Sequence, residues 1–141
     1  MKINEDLLIG NTDTSLKDVS NDLSHLKPYV LFNTSSVAAA DSYTLSDSAA
    51  NYQYLEIFYQ NTRYNSMWLY DRVFSPNGKT INLFSCGVGD DNGDTLWLCT
   101  GRYTINGNKI VKNYEWGYRL TNGSWGLGNT IHGIGKIIGY K

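Results

Sequence analysis

The chain has 141 residues, 12 Lys plus Arg against 13 Asp plus Glu, a net charge of −1, and 11 tyrosines beside 4 tryptophans. Balanced charge with no basic run lacks the electrostatic footprint that phosphate backbones and anionic bilayers require, which argues against nucleic acid and membrane as partners. No stretch approaches the roughly 18 apolar residues of a spanning helix and no cationic segment precedes an apolar run, so the expectation is a protein made in a cytoplasm without a signal peptide.

Residues 1–11 hold a small apolar cluster, Leu7, Leu8 and Ile9, interrupted by Gly10 and Asn11, and read as a frayed strand or a docking peptide. Thr12, Asp13, Thr14 and Ser15 then offer helix N-caps, with Asp18 placed three residues after Ser15 as in a capping box. The helix they start runs to Leu26 or Lys27 and stops because Pro28 biases its predecessor away from αR. Leu16, Val19, Leu23 and Leu26 keep the 3-4-3 spacing of a heptad seam, and Ile9 lies one heptad ahead of Leu16. Lys17, Asp18, Ser20, Asn21, Asp22 and Ser24 leave little else apolar, so the natural partners of this stripe are copies of itself. A helix this short is marginal alone, and association would support it. The sequence therefore predicts a trimerisation helix within residues 1–27; the alternative is an amphipathic helix packed on its own chain.

After Pro28 the punctuation becomes periodic. Asn-Gly pairs recur at Asn77-Gly78, Asn92-Gly93, Asn106-Gly107 and Asn122-Gly123. Asn-Gly favours the two-residue type I′ hairpin, because both positions need φ > 0, so four pairs predict an antiparallel meander. Strands are predicted at 29–33, 42–46, 54–60, 67–75, 79–88, 95–104, 109–119 and 131–140. Leu55, Ile57 and Tyr59 alternate with Tyr54, Glu56 and Phe58, the period of a half-buried strand. About eight strands without a second helix predict an all-β sandwich or jelly-roll-like head over 28–141.

Three phrases, SYTLSDSAANYQYLEIFYQ (Ser42 to Gln60), SPNGKTINL (Ser75 to Leu83) and IGKIIGYK (Ile134 to Lys141), make residues 30–141 resemble the C-terminal domains of minor structural or receptor-binding tail proteins from phages and prophages of Gram-positive bacteria. The resemblance implies a homotrimeric β-rich head at a tail tip or fibre end that contacts cell-wall saccharide. It supplies no ligand-binding motif, so binding residues are argued from chemistry.

Saccharide sites commonly pair aromatic platforms with carboxylates, amides and Arg. Tyr114-Glu115-Trp116-Gly117-Tyr118-Arg119 supplies such a set, and the glycine-rich stretch Thr121 to Asn129 carries Trp125. Trp116, Tyr118, Arg119 and Trp125 are candidate binders; the alternative for Trp116 and Trp125 is the core or a trimer interface. A second candidate is Arg63, Tyr64 and Trp68 in a polar and aromatic connection, which reads equally as an ordinary loop. Asp90-Asp91-Asn92-Gly93-Asp94 has the composition of a calcium loop but no bidentate glutamate at the twelfth position, and an acidic turn is preferred, with no metal or cofactor expected.

A turn centred on Asn92-Gly93 would set Cys86 directly opposite Cys99; both are read as small buried thiols rather than a disulfide. With two histidines, His25 and His132, no Gly-x-Ser-x-Gly elbow and no phosphate loop, catalysis is not expected. A glycosidase would need two facing carboxylates from Glu56, Glu115, Asp71 and Asp94, and their spacing selects no pair. The functional expectation is a non-catalytic phage tail adhesin, with other tail or baseplate proteins and a bacterial surface glycan as partners. The competing expectation is a structural trimerisation or capping module.

Overall fold

The computed structural model describes residues 27–62, 68–89, 95–121, 124–128 and 132–141. The predicted seam of Ile9, Leu16, Val19, Leu23 and Leu26 lies outside them, as do Arg63, Tyr64 and the acidic run 90–94. Among the described residues the architecture is all β, with a single 3-10 turn at Ala49–Asn51 and no α-helix.

Strict alternation builds the strands. In β3 (Tyr54–Asn61), Leu55, Ile57, Tyr59 and Asn61 are buried and the residues between them are half exposed. β1 (Tyr29–Asn33), β9 (His132–Tyr140), β3 and β4 (Leu69–Phe74) form the first antiparallel sheet, in the order β1-β9-β3-β4. β2 (Ser42–Thr44), β7 (Lys109–Thr121), β6 (Thr95–Asn106) and β5 (Thr80–Gly89) form the second, in the order β2-β7-β6-β5, and β8 (Ser124–Gly128) pairs with β7. Leu31, Leu55, Ile57, Ile134 and Ile137 of the first sheet share one buried cluster with Leu83, Tyr103, Ile105 and Ile110 of the second. Two sheets over one apolar core give the predicted sandwich-like arrangement.

The sheets are also bonded to each other. β5 is an edge strand, and its backbone at Phe84 is satisfied from the opposite sheet: the Tyr59 hydroxyl donates to the Phe84 carbonyl at 3.0 Å, and the Phe84 N–H lies 3.3 Å from the same oxygen. Tyr43 on β2 reaches β9, where the Ile134 N–H donates to its hydroxyl at 3.2 Å. Buried tyrosines thus contribute ring area to the core and one polar tip to a backbone group that would otherwise be unpaired.

Four sequence expectations need correction. Asn77-Gly78 does not close a hairpin, because β4 and β5 belong to different sheets. Lys79 N–H donates to the Pro76 carbonyl at 3.1 Å, and Gly78 alone of the pair takes positive φ, +77°, as in a type II turn. At Asn106-Gly107 the turn is displaced by one residue: Asn106 pairs with Lys109, so Gly107 (φ +56°) and Asn108 are central, the glycine-first pattern of type II′. The stretch expected as a glycine-rich loop contains β8, whose Ser124 pairs with Thr121 across residues 122 and 123.

The fourth correction concerns the cysteines. Cys99 pairs with Ser85, and Cys86 with Leu98; Cys99 is buried and Cys86 is exposed. Five positions separate Gly89 from Thr95, where a two-residue turn was expected. That odd spacing moves the register by one, and one step of register puts a side chain on the other face of a sheet.

Candidate functional site

The outer face of the second sheet carries a set of rings that the interior does not use. Past Tyr114, alternation in β7 turns Trp116 and Tyr118 away from the core; they are 45% and 42% exposed. Trp116 pairs with Thr100, which pairs with Phe84, and Tyr114 pairs with Arg102, which pairs with Asn82. Two rows therefore cross β7, β6 and β5: Trp116-Thr100-Phe84 and Tyr114-Arg102-Asn82. Thr100 is short and stands between two large rings, which leaves a trough. Thr100, Tyr114, Trp116 and Tyr118 line a depression of about 450 Å³.

The trough has ordered walls. Tyr114 and Trp116 meet edge to face, with centroids 6.4 Å apart at 76°. The Arg102 guanidinium lies 4.8 Å from the Tyr114 ring centroid and donates from Nε to Asn82 Oδ1 at 3.3 Å. A guanidinium stacked on one ring and tied to an amide still holds further N–H donors in a fixed plane. Rings for an apolar face, with a hydroxyl, an amide and a guanidinium beside them, suit a polyhydroxylated ligand. Among the described residues no carboxylate lines the trough.

Of the residues predicted for saccharide binding, the structure brings Trp116 and Tyr118 together on this face. The alternative that Trp116 belongs to the core of its own chain is excluded by its exposure. Arg119 pairs with buried Trp97 and with Gly126, one position out of step with the Trp116-Tyr118 row, and Trp125 pairs with Leu120 in β8. Trp68 is half exposed at the start of β4, over the other sheet. Sequence reasoning missed Thr100, Arg102 and Phe84, whose places beside Trp116 are set by cross-strand register.

Behind the same strand lies a polar constellation that sequence reasoning also missed. Ser85 of β5, Glu115 of β7 and His132 of β9 converge between the sheets. Ser85 Oγ is 2.8 Å from His132 Nε2, and His132 Nδ1 is 3.1 Å from Glu115 Oε1. The same oxygen accepts from the His132 backbone N–H and, at 3.2 Å, from the Tyr103 hydroxyl. An accepting carboxylate at Nδ1 assigns the proton to that nitrogen, so Nε2 accepts from Ser85. Asn61 Nδ2 completes the set by donating to Ser85 Oγ at 3.2 Å.

Space for the imidazole comes from Gly101, where a Cβ would stand 2.7 Å from Tyr103 Cε2 and 3.2 Å from His132 Nδ1. Burial and the nearby Glu115 charge push the Tyr103 hydroxyl well above its ordinary pKa, so it stays a donor. Lys112 Nζ sits 3.8 Å from Glu115 Oε2 and 2.8 Å from Asp41, whose hydrogen bond raises the lysine's pKa.

The order carboxylate, imidazole, hydroxyl is that of a nucleophilic relay. Here the hydroxyl is 3% exposed and the imidazole 0%, and neither lines the trough. Every polar atom named is engaged by another, so the constellation joins the two sheets. Of the carboxylates weighed for a glycosidase, Glu115 and Glu56 are not brought together: Glu115 lies between the sheets, whereas Glu56 lies on the outer face of the first, where it accepts from Arg72, Tyr70 and Tyr140 at 2.8, 2.9 and 3.0 Å. Asp94 falls outside the described residues.

Among the described residues no helix is long and apolar enough to cross a membrane. Comparison with known proteins gives no matching family model and no matching curated sequence.

Proposed function

We propose that the chain is the head of a phage or prophage tail adhesin, which attaches the virion to a bacterial surface saccharide without catalysis. The observation that carries this reading is the pair of exposed rings Trp116 and Tyr118 around Thr100, with half-buried Tyr114 and the Arg102 guanidinium beside them. The resemblance of three sequence segments to tail proteins of Gram-positive phages supports it. On this reading the heptad stripe of residues 9–26 fixes three copies, and weak single sites gain avidity from their number. Residence in the virion tail, beside other tail or baseplate proteins, belongs to the same proposal.

The test is binding of the full chain to a panel of purified wall polysaccharides from Gram-positive bacteria, beside a Trp116→Ala variant. Retention of at least one polysaccharide by the wild type, weakened about tenfold or more in the variant, is the expected result. A variant that binds as well as the wild type would remove the trough from the reading.

A second reading has its own observation. Phe84, Leu96 and Val111, large apolar side chains of the second sheet, are 53%, 39% and 42% exposed, as expected of residues that a neighbouring subunit covers. In that case the chain is a structural trimerisation or capping module of a fibre. A solution mass of three chains with no polysaccharide bound would favour it over the adhesin.

A further inference from the structure

The outer face of the first sheet holds a groove of different chemistry. Asn33 pairs with Lys136, Lys136 with Phe58, and Phe58 with Tyr70, so one row crosses all four strands. Trp68, just ahead of β4, closes one end of it at 50% exposure. Its indole rests on Gly135: a Cβ there would fall 2.2 Å from Cη2 and 2.6 Å from Cζ3. Gly135 sits where the β3-β9 register slips, between Phe58 opposite Lys136 and Tyr59 opposite Ile134. The bulge and the missing side chain together give the ring a seat on bare backbone, so it is placed before any ligand arrives and loses little freedom on binding.

Asn33, Thr34, Phe58, Trp68, Gly135 and Lys136 line a groove of about 390 Å³. Among the described residues Lys136 makes no ion pair. Glu56, the nearest acidic residue along the same face of β3, is occupied by the Arg72 guanidinium and two tyrosine hydroxyls. The groove thus combines two aromatic walls, one amide and one ammonium that has no ion pair among the described residues.

We propose that this groove is a second saccharide site, selective for a sugar unit carrying an anionic group. Trp68 and Phe58 take the apolar face of the sugar ring, Lys136 takes the anion, and Asn33 takes a ring hydroxyl. The anion is a carboxylate or a phosphate; a monovalent ammonium recognises either. The site lies on the opposite outer face from Trp116, so it stands or falls independently of the trough on the second sheet.

The experiment tracks the Trp68 indole N–H in the full chain by NMR, assigned through its loss in Trp68→Phe. The probes are glucuronate, glucose 6-phosphate, methyl glucoside and inorganic phosphate, each at about 50 mM, where millimolar binding saturates. Glucuronate or glucose 6-phosphate should shift the signal far more than methyl glucoside, and which of the two acts identifies the anion. Lys136→Gln should weaken that response about threefold to tenfold, while Trp116→Ala leaves it unchanged. Equal responses to methyl glucoside, or no effect of Lys136→Gln, would overturn the anionic selectivity. Inorganic phosphate acting as strongly as glucose 6-phosphate would overturn the sugar, and no response to any probe would overturn the site.

Discussion

The two sides of strand β7 differ in a way that decides how the protein is read. Toward the interior, Glu115 gathers an imidazole, a backbone N–H and a phenol into a chain that ends on the Ser85 hydroxyl. Toward solvent, Trp116 and Tyr118 flank a trough whose other described lining residues are Thr100 and Tyr114. The inner side has the order of a nucleophilic relay and is buried; the outer side is exposed, and its lining among the described residues is aromatic and hydroxyl. Reactive residue types are therefore a poor guide here, and exposure is the better one. The polar relay is accounted for as a tie between sheets, because removing any one member would leave buried partners unsatisfied.

The largest test of that contrast is Glu115→Ala. It strands the His132 backbone N–H and its Nδ1–H, leaves the Tyr103 hydroxyl only the His132 carbonyl at 3.3 Å, and should cost about 3 kcal/mol or more in urea unfolding. A loss below about 1 kcal/mol would show that the relay is not a tie. Gly101→Ala should cost about 1–3 kcal/mol, since its methyl carbon would meet Tyr103 Cε2 at 2.7 Å.

Ser85→Ala removes the donor to His132 Nε2 and the acceptor for Asn61 Nδ2 and should cost about 1–3 kcal/mol. The wild-type hydroxyl should resist a fluorophosphonate probe under native conditions, and stoichiometric labelling of Ser85 would reverse the assignment. Trp116→Ala, on the open side, should change stability by no more than about 0.5 kcal/mol while altering binding.

The smallest expected effect is on acid stability, and it comes from the outer face of the first sheet. Burial pushes the Glu56 carboxyl up, but hydrogen bonds from Arg72, Tyr70 and Tyr140 and the charge of Arg72 outweigh it and hold the group below its ordinary pKa. A folded-state value lower than the unfolded one gives stability that is present above the unfolded value and is lost as pH falls through the folded one. Arg72→Ala should therefore flatten the acid limb of a stability-against-pH curve. An unchanged limb would show that Arg72 contributes nothing to that depression.

Strand positions were legible because the determinants are local. Period-2 alternation marked β3, and the Asn-Gly punctuation marked β5, β6 and β7 to within a few residues. Where each turn sends the chain was not legible. Asn77-Gly78 is locally like Asn122-Gly123, yet one carries the chain across to the other sheet and the other joins paired neighbours. The turn type depends on whether Pro76 precedes it and on the hydrogen bond from Gly78 N–H to the Ile105 carbonyl, which is a tertiary contact. β8 was hidden because Gly126 and Gly128 lower strand propensity while pairing to β7 restores it. Ser85, Glu115 and His132 are separated by 30 and 17 positions and belong to three strands, so no spacing could announce them. One signal was available: His132 opens an otherwise apolar, glycine-rich strand, and an imidazole placed there needs partners.

The position of β9 bears on how the molecule assembles. It lies between β1 and β3, the first and third of the described strands, and carries the last described segment into the middle of a sheet. The run from β5 through β7 is built from sequence neighbours and can pair as soon as it is synthesised. The first sheet must wait, with β1 and β3 left unpaired along their inner edges until residues 132–140 arrive. During that interval the exposed edges are the segments most open to wrong pairing between nascent chains, and a strand-mimicking peptide of sequence 132–140 would act there and nowhere later.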